Sequence, residues 1–359
     1  MEAETVGQFE EKAFLKDFIA KYALNAASEE FDDCIVIDLS KILCISDLPY
    51  LVYSIDHPSF IERPLPIDEE TQYRFYGRWT AATICGDVLA MGAQPRGFSL
   101  DISAPLETQV RNLDYILQGV SDVLGAYETT YEGGNFDVSD LEMVGIAWGI
   151  VDQDKIIRRS GAREGDIIAV TTALGYGWAE YISRKMGKTH LLSRQTQEKF
   201  HSFKSMPLAP IKAILAAVKT DGITSGMDLS DGVIEFLYTI LERNRLGTRI
   251  YEDWIWITPE MEEVANKVLN MRAGLLALEP GYDTPLAHAY TVNPDAWEDV
   301  NSAFENNNAK LYKIGVVTKE PQIVLETVYK RTVPIPAFWD DQFGKHNVIA
   351  RWEDTIRPL

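Results

Sequence analysis

Gly226-Met227-Asp228-Leu229-Ser230-Asp231-Gly232 is the stretch on which the fold turns. Behind it Val233, Phe236, Leu237, Ile240 and Leu241 recur at helical spacing, so a helix begins where the stretch ends. Ser230 or Asp231 is its natural N-cap, and Gly232 permits close backbone approach. A helix N-terminus offers free N–H groups to an anion, but two aspartates beside it repel a bare phosphate. They suit a divalent cation that bridges to one. An ordinary capped helix is the alternative for this segment taken alone.

The same placement recurs upstream. The stretch Phe75–Met91 reads as a helix rich in small residues, ended by Gly92 and Pro95. Asp87 lies on it among Thr83, Ile84, Ala90 and Met91, where a carboxylate is costly unless it meets a cation or several donors. A structural pairing with an arginine explains it equally well. Asp32 and Asp33 precede a short β-like run, Cys34–Ile37, and Asp56 follows another, Leu51–Ile55. Gly133-Gly134-Asn135-Phe136 and Gly281-Tyr282-Asp283-Thr284 read as turns ahead of strands. Carboxylates and amides thus gather at element ends, where the loops of an α/β scaffold converge.

Around these points the chain alternates. Residues 8–23 form an amphipathic pattern, Phe98–Ile102 a strand, Arg111–Leu124 a helix, and Leu141–Val151 and Asp166–Thr171 strands. The turn-rich stretch Asp152–Gly165 divides the chain. The expected organisation is a two-lobed α/β (α+β) protein with residues 1–152 as one domain and 153–359 as the other. A Pro- and aromatic-containing tail from Val333 is expected to wrap the surface.

At 359 residues, 46% hydrophobic and 25% charged, the chain suits two globular domains. The absence of an apolar run of about 18 residues argues against a membrane span, and the acidic start against a secretory signal. Cys34, Cys44 and Cys85 suit buried reduced thiols of a cytoplasmic protein. The net charge of −20 repels nucleic-acid backbones and anionic membranes, so neither is an expected partner. An acidic protein that handles phosphates needs metal ions. Other motifs fail: Gly187-Lys188-Thr189 has Ile182 where a Walker A loop needs glycine, the five histidines lack zinc spacing, and no G-x-S-x-G elbow exists. Ala173-Leu174-Gly175-Tyr176-Gly177 lacks the full dinucleotide fingerprint.

In order, these segments resemble the thiamine-monophosphate kinase family of the aminoimidazole ribonucleotide synthetase-like superfamily. Its paired-aspartate motif aligns with Phe31-Asp32-Asp33-Cys34-Ile35-Val36, its Thr-Asp strand end with Ile55-Asp56, and its Asp-x-x-Ala-Met-Gly-Ala helix with Asp87–Ala93. Arg159-Ser160-Gly161-Ala162, the loop ending at Gly175, Asp228–Gly232, Trp297, Ile314–Val317 and Phe338-Trp339-Asp340 continue it. The resemblance implies ATP and several Mg²⁺ between the lobes, with Asp32, Asp33, Asp56, Asp87, Asp228 and Asp231 as metal ligands. It also implies Asp228 and Asp231 in catalysis, Gly133, Gly134, Asn135, Arg159 and Gly232 at the nucleotide, and Asp283 and Trp339 at a small-molecule acceptor. A homodimer closed through N-terminal strands into a β-barrel is implied as well.

Departures mark a divergent member. Asn135 stands where the family carries aspartate, Phe60 where it carries glutamate, and Gly281–Leu286 lacks two glutamates. Three activities stay open: a kinase for thiamine monophosphate or another acceptor, a ligase or cyclase that activates an amide or carboxyl oxygen with ATP, and a non-catalytic nucleotide-binding relative.

Overall fold

A computed structural model describes residues 32–44, 46–58, 68–202, 208–278, 280, 287–337 and 348–359. The helix expected over 8–23, Phe31, Phe60, the 281–286 loop with Asp283, and Phe338–Asp340 with Trp339 lie outside the described residues.

Strands β1 (Ile35–Asp38), β2 (Tyr50–Asp56), β3 (Gln94–Ser103), β4 (Thr130–Asp137) and β5 (Glu142–Val151) form one sheet in the order β1-β2-β5-β3-β4. Only β3 and β4 run parallel. Helices α1 (Glu69–Ala90) and α2 (Val110–Tyr127) cover one face. They meet backbone to backbone: a Cβ on Gly77 would lie 1.9 Å from the Ile116 carbonyl oxygen, and one on Gly119 2.0 Å from that of Arg74. The small residues read from the sequence are what let two helices pack so closely. Asp68 caps α1 by accepting from Thr71 N–H at 2.8 Å.

One expectation is corrected here. Gly133–Phe136 is not a turn but the middle of β4, laid against β3 with a register shift between Phe98 and Ser99. Gly133 takes φ +119° at that irregularity, and a Cβ on Gly134 would meet the Leu100 carbonyl oxygen at 1.7 Å. Paired glycines that signal a turn locally are needed here for a bulge and a close strand.

The second sheet holds β6 (Ile167–Val170), β7 (Ile223–Asp228), β8 (Gly247–Tyr251), β9 (His288–Val292), β10 (Tyr312–Thr318), β11 (Ile323–Glu326) and β12 (Thr332–Pro334), ordered β12-β11-β8-β10-β6-β9-β7. Its helices include α3 (Tyr176–Lys185), α4 (Arg194–Ser202), α5 (Ile211–Val218), α6 (Gly232–Asn244) and α7 (Trp297–Glu305), with α8 (Val348–Thr355) near the end of the chain. One core lies within this lobe. The other crosses the seam, joining Ile84, Val88 and Met91 of the α1 region to Tyr290 and Val292 of β9 and to α5 and α7. The tail does not only wrap the surface: Trp352 and Ile356 are fully buried in the second lobe, and the Trp352 indole N–H donates to the Leu278 carbonyl at 3.0 Å. Cys34 and Cys85 are buried and free, whereas Cys44, expected inside, is exposed in a left-handed turn after a single turn of helix. Among the described residues no helix is long and apolar enough to cross a membrane.

Candidate functional site

Asp228 is the last residue of β7, and Asp231 holds the N-cap position of α6, as the pattern predicts. The capping contact differs from expectation. The Asp231 side chain makes no capping hydrogen bond, and instead an Asp228 carboxylate oxygen accepts from Ser230 N–H at 3.1 Å. Gly232 begins α6 at φ +85°, a conformation glycine adopts without strain, so the turn stays tight.

From the other lobe α1 delivers Asp87 to the same place, because its buried face carries it against β2 and β7. The Ser54 hydroxyl donates to Asp87 Oδ2 at 2.5 Å. Ser54 and Asp56 alternate onto the same side of β2, which brings the Asp56 carboxylate alongside. Burial holds Asp87 well above the ordinary carboxylate range, and the charges of Asp228 and Asp56 push the same way. Asp56 is raised too, by burial first, while the His57 amide donates to it at 2.7 Å and pulls the other way.

Asp32 and Asp33 lead into β1 with fully buried side chains. Arg158 Nη1 donates to Asp32 Oδ2 at 2.7 Å, the Arg159 amide to Asp32 Oδ1 at 3.2 Å, and Arg159 Nε to Asp33 Oδ1 at 2.9 Å. Burial pushes the Asp33 carboxyl up to about 7; Arg159 opposes this, and Asp228 and Asp32 add to it. Asp33 Oδ2 is buried with no hydrogen-bond partner among the described residues. For Arg159, burial works against its charge, yet Asp33 and Asp228 outweigh that and hold it above its ordinary value.

Asp32, Asp33, Asp56, Asp87 and Asp228 thus converge from both lobes on one seam, all oxygen donors, with mutual repulsion only partly offset by two guanidiniums. A hard divalent cation fits this set: it relieves the repulsion and finds an orphaned oxygen on Asp33. Among the described residues no three His, Cys, Asp or Glu side chains stand as a ready metal cage.

Gly133, Gly134 and Asn135 are not brought there within one chain. Asp56 pairs with Gly145, Gly145 with Leu100 and Leu100 with Gly134, so the glycines lie three strands away, roughly 14 Å at the usual strand spacing. Arg158, Ser54 and His288 escaped the sequence reading. Ser54 was within reach of it by strand alternation and Arg158 by adjacency to Arg159. His288 was not, because it meets the site only through pairing of β9 with β7, where it lies opposite Asp228.

Two α/β lobes that share a cluster of buried carboxylates at their seam define the class of this protein. The family descriptions "AIR synthase related protein, N-terminal domain" and "AIR synthase related protein, C-terminal domain" match residues 31–151 and 163–328. The chain belongs to the AIR synthase related family, as a divergent member. It is similar to the thiamine-monophosphate kinase of Haemophilus influenzae, 27% identical over 67% of this chain and 70% of the relative. The solved structure of AaThiL complexed with AMPPCP and TMP superimposes with a TM-score of 0.75 at 18% identity, over 95% of this chain and 100% of that one. E. coli HypE, a hydrogenase maturation protein, superimposes with a TM-score of 0.64 at 16% identity, over 92% and 98%.

Proposed function

We propose that this protein binds Mg²⁺-ATP in the seam and transfers the γ-phosphoryl group to a small phosphate- or hydroxyl-bearing acceptor. The observation that carries the proposal is the convergence of Asp33, Asp56, Asp87 and Asp228 from both lobes on one buried seam. Phosphoryl transfer needs positioning and charge neutralisation more than a covalent nucleophile, and carboxylates that hold cations supply both. An acceptor oxygen attacks the γ-phosphorus, the bond to the β–γ bridging oxygen breaks, and ADP leaves.

In this scheme Asp32, Asp33, Asp56, Asp87, Asp228 and Asp231 hold metal, with Asp228 and Asp231 nearest the chemistry. Arg159 and Gly232 face the nucleotide, as do Gly133, Gly134 and Asn135, for which a second copy of the chain would close the distance. Asp283 and Trp339 serve the acceptor. Residues 1–152 form the nucleotide and dimerisation domain and 153–359 the second domain, in a cytoplasmic homodimer. Thiamine monophosphate is the first acceptor to test, given the likeness to a kinase for it. A second reading, in which ATP activates an amide or carboxyl oxygen, stands beside it because the chain is also similar to a hydrogenase maturation protein, so a thiamine-monophosphate kinase is not the sole kind of relative.

Incubation with Mg²⁺-ATP, with and without thiamine monophosphate, followed by product analysis, separates these. ADP together with thiamine diphosphate establishes the kinase. ADP and phosphate without a phosphorylated acceptor favour the second reading, and no nucleotide turnover with any acceptor sinks both. Asp231→Ala should cut turnover at least a hundredfold, because it removes a proposed metal ligand at the N-cap position of α6. Activity near wild type would remove Asp231 from the site.

A further inference from the structure

His288 opens β9 directly opposite Asp228 and is fully buried. Its Nε2 lies 3.0 Å from the carbonyl oxygen of Gly86, the residue before Asp87 in α1. A carbonyl only accepts, so Nε2 carries the proton and Nδ1 is bare. Nδ1 has no hydrogen-bond partner among the described residues. One side chain of the second lobe therefore reaches across the seam and grips the first lobe's backbone one residue from a proposed metal ligand.

The need for such a grip follows from the charges. Asp87 and Asp228 come from different lobes, and each disfavours the other's ionised form, so a cation between them needs the two held at a fixed spacing. A cationic tie such as lysine or arginine would pair with the carboxylates and compete with a metal. An N–H that donates to a backbone carbonyl holds the seam without taking a carboxylate out of use.

We infer that His288 is a positioning residue whose Nε2–H···O=C bond to Gly86 fixes the spacing of Asp87 and Asp228 for the cation between them. This rests on the proposal that the seam takes Mg²⁺-nucleotide. His288→Leu removes the donor at similar volume, and His288→Gln restores an N–H. Binding of AMPPCP is measured by calorimetry across a Mg²⁺ series. His288→Leu should raise the Mg²⁺ needed for half-maximal binding about tenfold, the worth of one net hydrogen bond, and His288→Gln should return it to within about threefold. Leu325→Ala, in the second core away from the seam, should lower the melting temperature yet leave the Mg²⁺ requirement alone.

Amide exchange without nucleotide supplies the independent arm. Exchange in Thr83–Met91 and Ser225–Asp228 should quicken in His288→Leu and recover in His288→Gln. Unchanged exchange and Mg²⁺ requirement in His288→Leu, or a glutamine variant as impaired as the leucine, overturns the inference. Wild-type protein that binds no AMPPCP at any Mg²⁺ concentration overturns the nucleotide proposal, and exchange then decides the inter-lobe tie by itself.

Discussion

Asp33 shows how a single residue at the seam couples protonation, stability and metal. Its carboxyl sits at about 7 in the folded chain against an ordinary 3.8, with burial as the main cause. The folded state therefore holds this proton more tightly than the unfolded state does. The stabilising contribution is complete below the ordinary value and is lost as pH rises through about 7, the reverse of a salt-bridged carboxylate. Asp56 and Asp87 are shifted in the same direction and reinforce the trend. Mg²⁺ competes with the proton for the same oxygens. The rise in melting temperature on adding MgCl₂ should accordingly be larger near pH 8 than near pH 6, and Asp33→Asn should shrink the difference. Equal Mg²⁺ stabilisation at the two pH values would show that these carboxylates are not where the cation binds.

At the scale of elements, what could be read from sequence was whatever depends on near neighbours. Helix α1 was legible from its run of small and apolar residues, and the Asp228–Gly232 junction from the apolar face behind it. The turn assigned to Gly133–Phe136 failed because its strand character comes from β3, a partner about thirty residues away whose backbone no local pattern reveals. The His288–Gly86 bond was invisible for the same reason, whereas Arg158 could be reached through its neighbour Arg159. The glycines of α1 and α2 carry the element-scale prediction. With Cβ positions at Gly77 and Gly119 falling 1.9 and 2.0 Å from opposing carbonyl oxygens, the two helices have no room to yield without separating. Gly119→Ala should cost about 1–3 kcal/mol, the range of core overpacking, measured by urea unfolding. Asp87 rides on α1, so nucleotide binding should weaken as well. A variant as stable as wild type would mean that the helices are free to slide apart.

At the scale of the whole molecule, the described residues leave an apolar sheet face to account for. The first sheet packs one side on α1 and α2, while its other side exposes Ile35, Ile55, Ile146 and Ile150, each at least 40% accessible. Alternation along β5 puts Ile146 and Ile150 on that side and Met143, Ala147 and Val151 in the core. A second copy of the same face is the occupant proposed for it, and it would also bring another β4, with its Gly133–Asn135, toward the seam. Apolar burial drives such an association, and a charge of −20 on each copy opposes it. Salt screens the repulsion and leaves the apolar term intact, so the dimer fraction in sedimentation should rise between low and physiological ionic strength. The double variant Ile146→Asp, Ile150→Asp adds two buried charges per copy and should sediment as a monomer at every salt concentration, with unchanged circular dichroism. If the proposed nucleotide site spans both copies, that monomer also loses Mg²⁺-AMPPCP binding. A folded monomer that binds the nucleotide as well as wild type does would place the whole site within one chain and leave β4 outside it.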